Sequence, residues 1–357
     1  MRDFVTAHHL RLISPTMLLI RKQAFARAGL IGNPSDGYHG KTISITVHNF
    51  RAQVALYEWD QVEVVWSQED RSRFRSIGDL VDDVRLHGYY GGVRLVKATI
   101  KAFVEYCRRQ GHALHERNFS IRYESDIPRQ VGMAGSSAII VATLRCLMEF
   151  YGVEIPLRVQ PSLALSVETV ELGIPAGLQD RVIQVYDGVV AMDFSREKME
   201  NVCGFDCGVY EPLDSSTLPH LYIAYDANVG EPTEVTHGDL RSRFDAGDPQ
   251  VTDAMAQFAQ FATDARDAIG RGDQQKLSEL IDRNYDLRRS ICTLPPGQAM
   301  MVDRARVAGA SAKFAGSGGA IIGTYEDDAT YERLGQEMDA LGCRLIKPDV
   351  SLSATPG

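Results

Sequence analysis

The sequence predicts an α+β protein, and three features of its 357 residues carry that prediction. Apolar residues alternate with polar ones around 43–47, which is the period of a strand with one buried face. In 93–109 the apolar positions recur near helical spacing, and Gly111 follows as a stop signal. The predicted elements run as strands, helix, strand, helices and strands, then helices and strands again. This order is typical of the α+β class.

The N-terminal half supplies the predicted antiparallel sheet. The alternating apolar positions are Ile43, Ile45, Val47, Val54, Leu56, Val62 and Val64. The segment 32–40, GNPSDGYHG, is dense in turn-forming residues and is expected to be a loop. Residues 119–123 alternate as a further strand, 162–172 are expected to be helical, and 182–194 are expected to contain short strands.

The C-terminal half is predicted to be mainly helical, with helices near 253–269, 274–289 and 297–308. A strand, glycine loop and second strand follow in SAKFAGSGGAIIGTY, at 311–325. The polar, turn-rich stretch at 195–220 suggests a boundary, so we expect domains at 1–205 and 206–357.

The composition excludes several classes of protein. A net charge of −9 argues against a dedicated nucleic-acid binder, although a few local cations suffice to hold a small anion. We find neither an apolar run long enough to span a membrane nor a signal peptide, so a cytoplasmic location is expected. The 6 cysteines lack zinc-site spacing, and free thiols are expected.

The most informative segment is PRQVGMAGSSA, at 128–138. Gly132 and Gly135 allow a tight turn and the close approach of a ligand to the backbone. Ser136 and Ser137 are expected to cap a following helix, whose free N–H groups would bind a polyphosphate. An ordinary tight turn with a serine cap explains the same pattern. The loop is neither G-x-x-x-x-G-K-[ST] nor G-x-G-x-x-G, which argues against a P-loop NTPase and a Rossmann dehydrogenase.

Three motifs in order resemble those of the galactokinase, homoserine kinase, mevalonate kinase and phosphomevalonate kinase (GHMP) superfamily. They are ARAGLIGNPSD at 26–36, the loop at 128–138, and KFAGSGGAIIG at 313–323. Further segments, such as HGYYGGVRLVKA, GIPAGLQDRVIQVYDGVVAMDFS and NYDLRRS, look like plant-type glucuronokinases over about 20–345. The resemblance implies the GHMP kinase fold, with an N-terminal ribosomal-protein-S5-like domain and a C-terminal ferredoxin-like domain. It also implies an ATP- and Mg²⁺-dependent sugar kinase that makes glucuronate 1-phosphate.

The resemblance also implies the catalytic residues. Asp180 would be the base that takes the proton of the attacking hydroxyl, since phosphoryl transfer needs a positioned carboxylate more than covalent chemistry. Arg27 would lower the pKa of Asp180 and offset charge on the transferred group. Without the resemblance, Asp180 is equally well a loop cap. Lys22, Lys41 and Arg181 remain alternatives to Arg27.

Binding residues are implied in the same way. The ATP-binding set is Pro128, Gly132, Ala134, Gly135, Ser136 and Ser137. Ser137 and Glu168 match the residues associated with Mg²⁺, and Glu171 is a competing choice one helical turn away.

The implied substrate-binding set is Asn33, Ser35, Asp36, Tyr38, Arg288, Gly316 and Gly318. Asn33 and Pro34 replace the Glu-His of galactokinases, which makes galactose an unfavourable substrate. A uronate carboxylate needs a cationic partner, for which the candidates are Arg129, Arg181, Arg288 and Arg289. Because adjacent helical residues point in different directions, at most one of Arg288 and Arg289 should reach the site, and Arg288 is preferred.

Two alternatives remain open at this point: the same fold acting on another sugar (galacturonate, a heptose or a neutral hexose), and a non-catalytic ligand-binding descendant. The expected partners are a sugar acid and ATP, with no nucleic acid and no membrane. The sequence does not specify the oligomeric state.

Overall fold

The computed structural model describes residues 18–65, 71–87, 93–226 and 235–350. Within these ranges the strands are β1 (Leu19–Ile31), β2 (Lys41–Trp59), β3 (Val62–Val65), β4 (Arg71–Phe74), β5 (Asn118–Ser125), β6 (Val189–Asp193), β7 (Glu200–Val202), β8 (Phe205–Cys207), β9 (Val209–Leu213), β10 (Leu221–Asp226), β11 (Lys313–Phe314), β12 (Ala320–Thr324) and β13 (Cys343–Ile346). The helices are α1 (Ile77–His87), α2 (Arg94–Gln110), α3 (Gly135–Tyr151), α4 (Gln160–Ser166), α5 (Gln179–Tyr186), α6 (Val235–Asp245), α7 (Pro249–Arg271), α8 (Gln274–Ile291), α9 (Pro296–Val307) and α10 (Asp328–Ala340).

The first sheet contains β1 to β6 and β9 and is organised around the long strand β2. The sequence predicts separate strands where the structure has one strand of 19 residues, because its pairing with β1 shifts register between Phe25 and Ala26. That shift lets the strand continue through His48, Asn49 and Arg51, which interrupt the apolar pattern. β3 pairs with β5 in parallel, so the sheet is mixed and not wholly antiparallel as predicted.

The second sheet has the order β11-β12-β10-β13. β9 is the last strand of the first sheet along the chain, and β10 begins the second. The predicted boundary between residues 205 and 206 stays a prediction. The glycine loop expected at 311–325 lies between β11 and β12 and brings the second sheet towards β1.

Helices α3 and α7 cover the first sheet at β2, and α8 lies between α7 and β11. Buried apolar side chains of these layers, such as Ile43, Ile140 and Phe258, form one continuous core. Burial of such side chains is the main stabilising contribution to a fold of this kind.

The segment 182–194, expected to contain short strands, is predicted correctly only in part. Val189–Asp193 forms β6, but residues 182–186 belong to helix α5. Its β-branched residues Val182, Ile183 and Val185 favour a strand locally. All three are buried, because α5 packs against α3, α4 and β1, and this packing outweighs the local preference.

No helix among the described residues is long and apolar enough to cross a membrane. All six cysteines are free.

Candidate active site

The loop at 128–134 leads directly into helix α3. Gln130, Gly132 and Ala134 have φ of 59°, 70° and 62°, so the backbone enters the left-handed region three times in five residues. The expected serine caps are wrong: the helix begins at Gly135 after Ala134, and no side chain caps it. Ser137 Oγ instead donates to the carbonyl oxygen of Ala134, 3.2 Å away. The first N–H groups of α3 are therefore not used by a capping side chain, which is the arrangement that binds anions.

The glycine loop between β11 and β12 packs against this first loop. A Cβ atom on Gly316 would lie 2.4 Å from the carbonyl oxygen of Gly132, and one on Gly132 would lie 2.6 Å from that of Gly318. Both distances are far below van der Waals contact, so only glycine permits the two backbones to approach this closely. Loops from the two sheets thus form one surface.

Arg27, on β1, joins these loops to Asp180. Its Nε donates to Asp180 Oδ1 at 2.5 Å, and its Nη1 donates to the carbonyl oxygens of Gly132 and Ala315 at 2.5 and 3.2 Å. The side chain of Arg27 is 7% exposed and that of Asp180 is 20% exposed, so the carboxylate can be reached while its partner is enclosed.

Arg181 provides a second positive charge beside Asp180. Its Nη1 lies 3.4 Å from Asp180 Oδ2, and its Nε donates to Glu168 Oε2 at 2.9 Å. Burial raises the pKa of Asp180, but the charges of Arg27 and Arg181 outweigh it and hold that pKa below the usual value. Asp180 is consequently a carboxylate at neutral pH.

Asp36 lies on the short 3-10 turn Ser35–Tyr38 and approaches the segment before α5. A Cβ on Gly177 would be 2.2 Å from Asp36 Oδ2, so the missing side chain of Gly177 leaves the space for this carboxyl group. Burial and the negative charge of Asp180 raise the pKa of Asp36 to about 6, although Arg27 lowers it. The site therefore holds two neighbouring carboxyl groups of different acidity.

Two residues that sequence reasoning missed hold the loop containing Asn33. Lys313 Nζ donates to Asn33 Oδ1 at 2.6 Å and to the carbonyl oxygen of Gly29 at 2.7 Å. Asn284 accepts from the N–H of Gly32 at 2.7 Å and donates to the carbonyl oxygen of Asn33 at 3.1 Å. Lys313 belongs to the motif KFAGSGGA and Asn284 to NYDLRRS. Glycines and an arginine of these motifs are predicted to bind substrate, but Lys313 and Asn284 are not.

The other predicted substrate residues are near this loop. Ser35 is buried, and its Oγ donates to the carbonyl oxygen of Lys41 at 3.0 Å, which closes the turn. The ring of Tyr38 is also buried and packs edge-on against Phe244, with centroids 4.8 Å apart. Each side chain fixes the shape of the turn that carries Asp36.

The structure distinguishes the two adjacent arginines of α8. Arg288 is buried, and its Nη1 and Nη2 donate to the carbonyl oxygens of Gly316 and Ser317 at 2.8 and 3.2 Å. Arg289 is exposed and faces Asp303. Of these two arginines, Arg288 is the one that contacts the glycine loop, where it donates hydrogen bonds to the backbone. Arg129 lies at the exposed start of the first loop.

Ser137 and Glu168, the residues predicted to bind Mg²⁺, are both buried. The Ser137 hydroxyl proton is donated to Ala134, which leaves its lone pairs as acceptors. Glu168 accepts hydrogen bonds from Arg181 through one oxygen, Oε2. Among the described residues no group of three or more His, Cys, Asp or Glu side chains forms a metal cage. A hydroxyl and one carboxylate suit Mg²⁺ that shares phosphate oxygens and water, so the donor set fits that ion.

A cavity of about 800 Å³ opens beside Asp36 and Gly177. Arg241, which is hydrogen-bonded to Gly37, also lines it, as do Arg108 and Arg109 of the last turn of α2. The volume is in the range of small-molecule sites.

The contact between the glycine loops predicts the effect of Gly316→Ala. A methyl group would lie 2.4 Å from the Gly132 carbonyl and 2.7 Å from Arg27 Nη1, so the loops must separate. We expect the free energy of unfolding to fall by about 1–3 kcal/mol in urea titrations. Gly297→Ala is the matched control, since its Cβ meets nothing within 4 Å. Equal stability of the two variants would contradict the packing of these loops.

The raised pKa of Asp36 predicts that Asp36→Asn stabilises the protein at pH 7. A carboxyl whose pKa rises from 3.8 to about 6 on folding favours the native state at low pH and loses that contribution as pH rises through 6. Its ionised form therefore costs on the order of 2–3 kcal/mol relative to the neutral amide. In urea titrations at pH 7 and 4, we expect the stabilisation only at pH 7. Asp267→Asn, on the exposed face of α7, should show no such change with pH. If the Asp36→Asn variant is less stable than the wild type at pH 7, the pKa of Asp36 is not raised in the folded protein.

Comparisons with known proteins identify the family and the fold of this chain. The family model described as the GHMP kinases N terminal domain matches residues 94–188, which include α3 and Asp180. The chain is 43% identical over 309 residues to Glucuronokinase 1 of Arabidopsis thaliana, covering 85% of this chain and 84% of that protein. It is 45% identical over 307 residues to Probable glucuronokinase 2 of the same plant, covering 84% and 82%.

The structure of Lactococcus lactis galactokinase, complexed with galactose, superposes with a TM-score of 0.74 at 15% identity and covers 92% of this chain and 93% of that one. The predicted α+β GHMP kinase fold is thereby confirmed. On the identity shared with the two Arabidopsis proteins, this chain belongs to the glucuronokinase family of the GHMP kinases.

Proposed function

We propose that this protein is an ATP-dependent sugar kinase that phosphorylates the anomeric hydroxyl of D-glucuronate to give glucuronate 1-phosphate. The observation that carries the proposal is the position of Asp180, an accessible carboxylate held between two arginines beside the uncapped start of α3. The two Arabidopsis relatives, a glucuronokinase and a probable glucuronokinase, support the choice of glucuronate.

In the proposed reaction the phosphates of ATP bind at the N-terminus of α3, where Gly132, Ala134, Gly135, Ser136 and Ser137 present backbone N–H groups. Pro128 begins this loop. Gly316 and Gly318 border it from the second sheet, and their lack of side chains keeps the surface open. Ser137 and Glu168 would hold Mg²⁺, which neutralises phosphate charge when it is bound.

Asp180 orients the attacking hydroxyl and takes its proton. Because the flanking arginines lower its pKa, Asp180 is a weak base that is always ionised at neutral pH. Phosphoryl transfer tolerates this, since its transition state requires positioning and charge stabilisation more than strong base catalysis. Arg27 orients the Asp180 carboxylate and places positive charge beside the phosphate loop.

Asp36 and Asn33 are proposed to bind sugar hydroxyls, with Ser35 and Tyr38 shaping their turn. Arg288 is proposed to support substrate binding by holding the glycine loop at Gly316 and Ser317. The cytoplasmic location and the absence of nucleic-acid and membrane partners stay predictions from the sequence.

A sugar panel tests the substrate. Purified protein is incubated with ATP and Mg²⁺ and with glucuronate, galacturonate, a heptose, glucose or galactose, and ADP release is measured. We expect the highest kcat/KM with glucuronate. If another sugar supports ADP release and glucuronate does not, the substrate is wrong. If no sugar does so, the catalytic proposal fails in favour of a ligand-binding descendant.

Asp180→Asn tests the base. The amide keeps the size of the side chain but cannot accept the proton, so we expect kcat to fall by roughly 10²–10⁴. Nucleotide affinity, followed by calorimetry, should change little, because asparagine keeps an oxygen that accepts from Arg27, the residue that holds the α3 loop. Asp267→Asn is the control for a surface carboxylate and should retain full turnover. Unchanged turnover in Asp180→Asn would refute the assigned role.

A further inference from the structure

Glucuronate differs from glucose by one carboxylate, so an enzyme that prefers the acid needs a cation placed for that group alone. The cations closest to Asp180 are already engaged. Arg27 and Arg181 bind the carboxylates of Asp180 and Glu168. Arg288 donates both Nη groups to loop carbonyls, and its Nε is buried with no hydrogen-bond partner among the described residues, so it presents no accessible fork of donors.

Arg241, on α6, lines the cavity together with Asp36 and Gly177. Its Nη2 donates to the carbonyl oxygen of Gly37 at 2.7 Å, so the guanidinium is attached to the residue that follows Asp36. The guanidinium carbon also lies over the Tyr38 ring, 4.6 Å from its centroid. These two contacts hold the guanidinium in one position at the edge of the cavity.

Within the part of the chain that the structure describes, Arg241 retains donors for a ligand. A guanidinium has five N–H groups, and the carbonyl of Gly37 takes one. Asp245 is its ion-pair partner on α6, but the shortest distance, 3.8 Å from Nη1 to Oδ1, is too long for a hydrogen bond. The side chain is 50% exposed, so a carboxylate in the cavity can approach it.

The other basic groups lining this cavity are less suitable. Desolvation, together with the charges of Arg196 and Arg241, lowers the pKa of His39, so its ring is neutral at pH 7. Arg108 and Arg109 belong to the last turn of α2, and Arg109 stacks on Phe205, whereas Arg241 is hydrogen-bonded to the turn that carries Asp36.

We infer that Arg241 binds the carboxylate of the sugar acid and thereby sets the preference for uronates over neutral sugars. The inference rests on the proposed function and adds a specificity residue to it. Arginine suits this role because its planar fork donates two parallel hydrogen bonds to one carboxylate. The contact is made equally to bound substrate and to the transition state, so it should affect KM more than kcat.

The test compares Arg241→Met and Arg241→Lys with the wild type. We measure kcat and KM separately for glucuronate. We also measure the inhibition constant of glucose in competition with glucuronate, because it reports the binding of a neutral sugar even when that sugar is not phosphorylated. We expect Arg241→Met to raise KM for glucuronate by roughly ten- to a hundredfold while the glucose constant changes less than about twofold. Arg241→Lys should recover part of the loss, because it keeps the charge but not the fork.

Two further variants separate the alternatives. Arg289→Met removes an exposed α8 arginine that faces Asp303 and should leave both constants unchanged. Arg288→Lys should weaken both sugars together, because the glycine loop loses its support. Equal losses for both sugars in Arg241→Met, or a selective loss of glucuronate in Arg288→Lys only, would overturn the assignment. If wild-type protein does not phosphorylate glucuronate at all, the proposed function fails, and this inference fails with it.

Discussion

The structure depends on one enclosed cation, the guanidinium of Arg27. It bonds to Asp180, to Gly132 in the α3 loop and to Ala315 in the second sheet, which are 105 to 288 residues away along the chain. A buried guanidinium without such partners would cost several kcal/mol, so the fold is stable only when all three segments are in place. The same interaction that fixes the relation between the two sheets therefore also places the carboxylate beside the phosphate loop.

Around Arg27 the charges alternate in sign. Glu168 pairs with Arg181, Arg181 lies beside Asp180, and Asp180 pairs with Arg27. These four side chains sum to zero charge, which is why they can be largely buried together. Asp36 adds a fifth group, and its pKa is raised by burial and by the negative charge of Asp180, although Arg27 and Arg181 oppose this. A carboxylate retained at a cost to stability is typical of a functional site.

Features of the fold that depend on one residue and its immediate neighbours can be predicted from the sequence. Gly111 ends α2 where predicted, because it adopts the left-handed conformation that glycine favours. Sequence reasoning fails for α5, where long-range packing overrides β-branched residues. It also misses Lys313 and Asn284, whose partners lie more than 250 residues away at Asn33. For Arg288 and Arg289, helical geometry indicates that the two diverge, but only the fold shows that Arg288 is the enclosed one.

The chain has a net charge of −9, yet a kinase for a sugar acid must bind two anions, ATP and the sugar acid, in one site. The buried cations do not supply the positive charge that these ligands need. Arg27 and Arg181 are balanced by carboxylates of the protein, and the three hydrogen bonds of Lys313 go to uncharged oxygens within the fold. Burial and the nearby charges of Arg288 and Arg27 hold the pKa of Lys313 well below its usual value, which weakens it further as a source of positive charge. The anionic ligands must therefore be stabilised by donors that remain accessible in the folded protein. These are the N–H groups at the start of α3 and side chains at the edge of the cavity. An acidic protein can then bind anions, because a few fixed donors act at short range where solvent screening is weak.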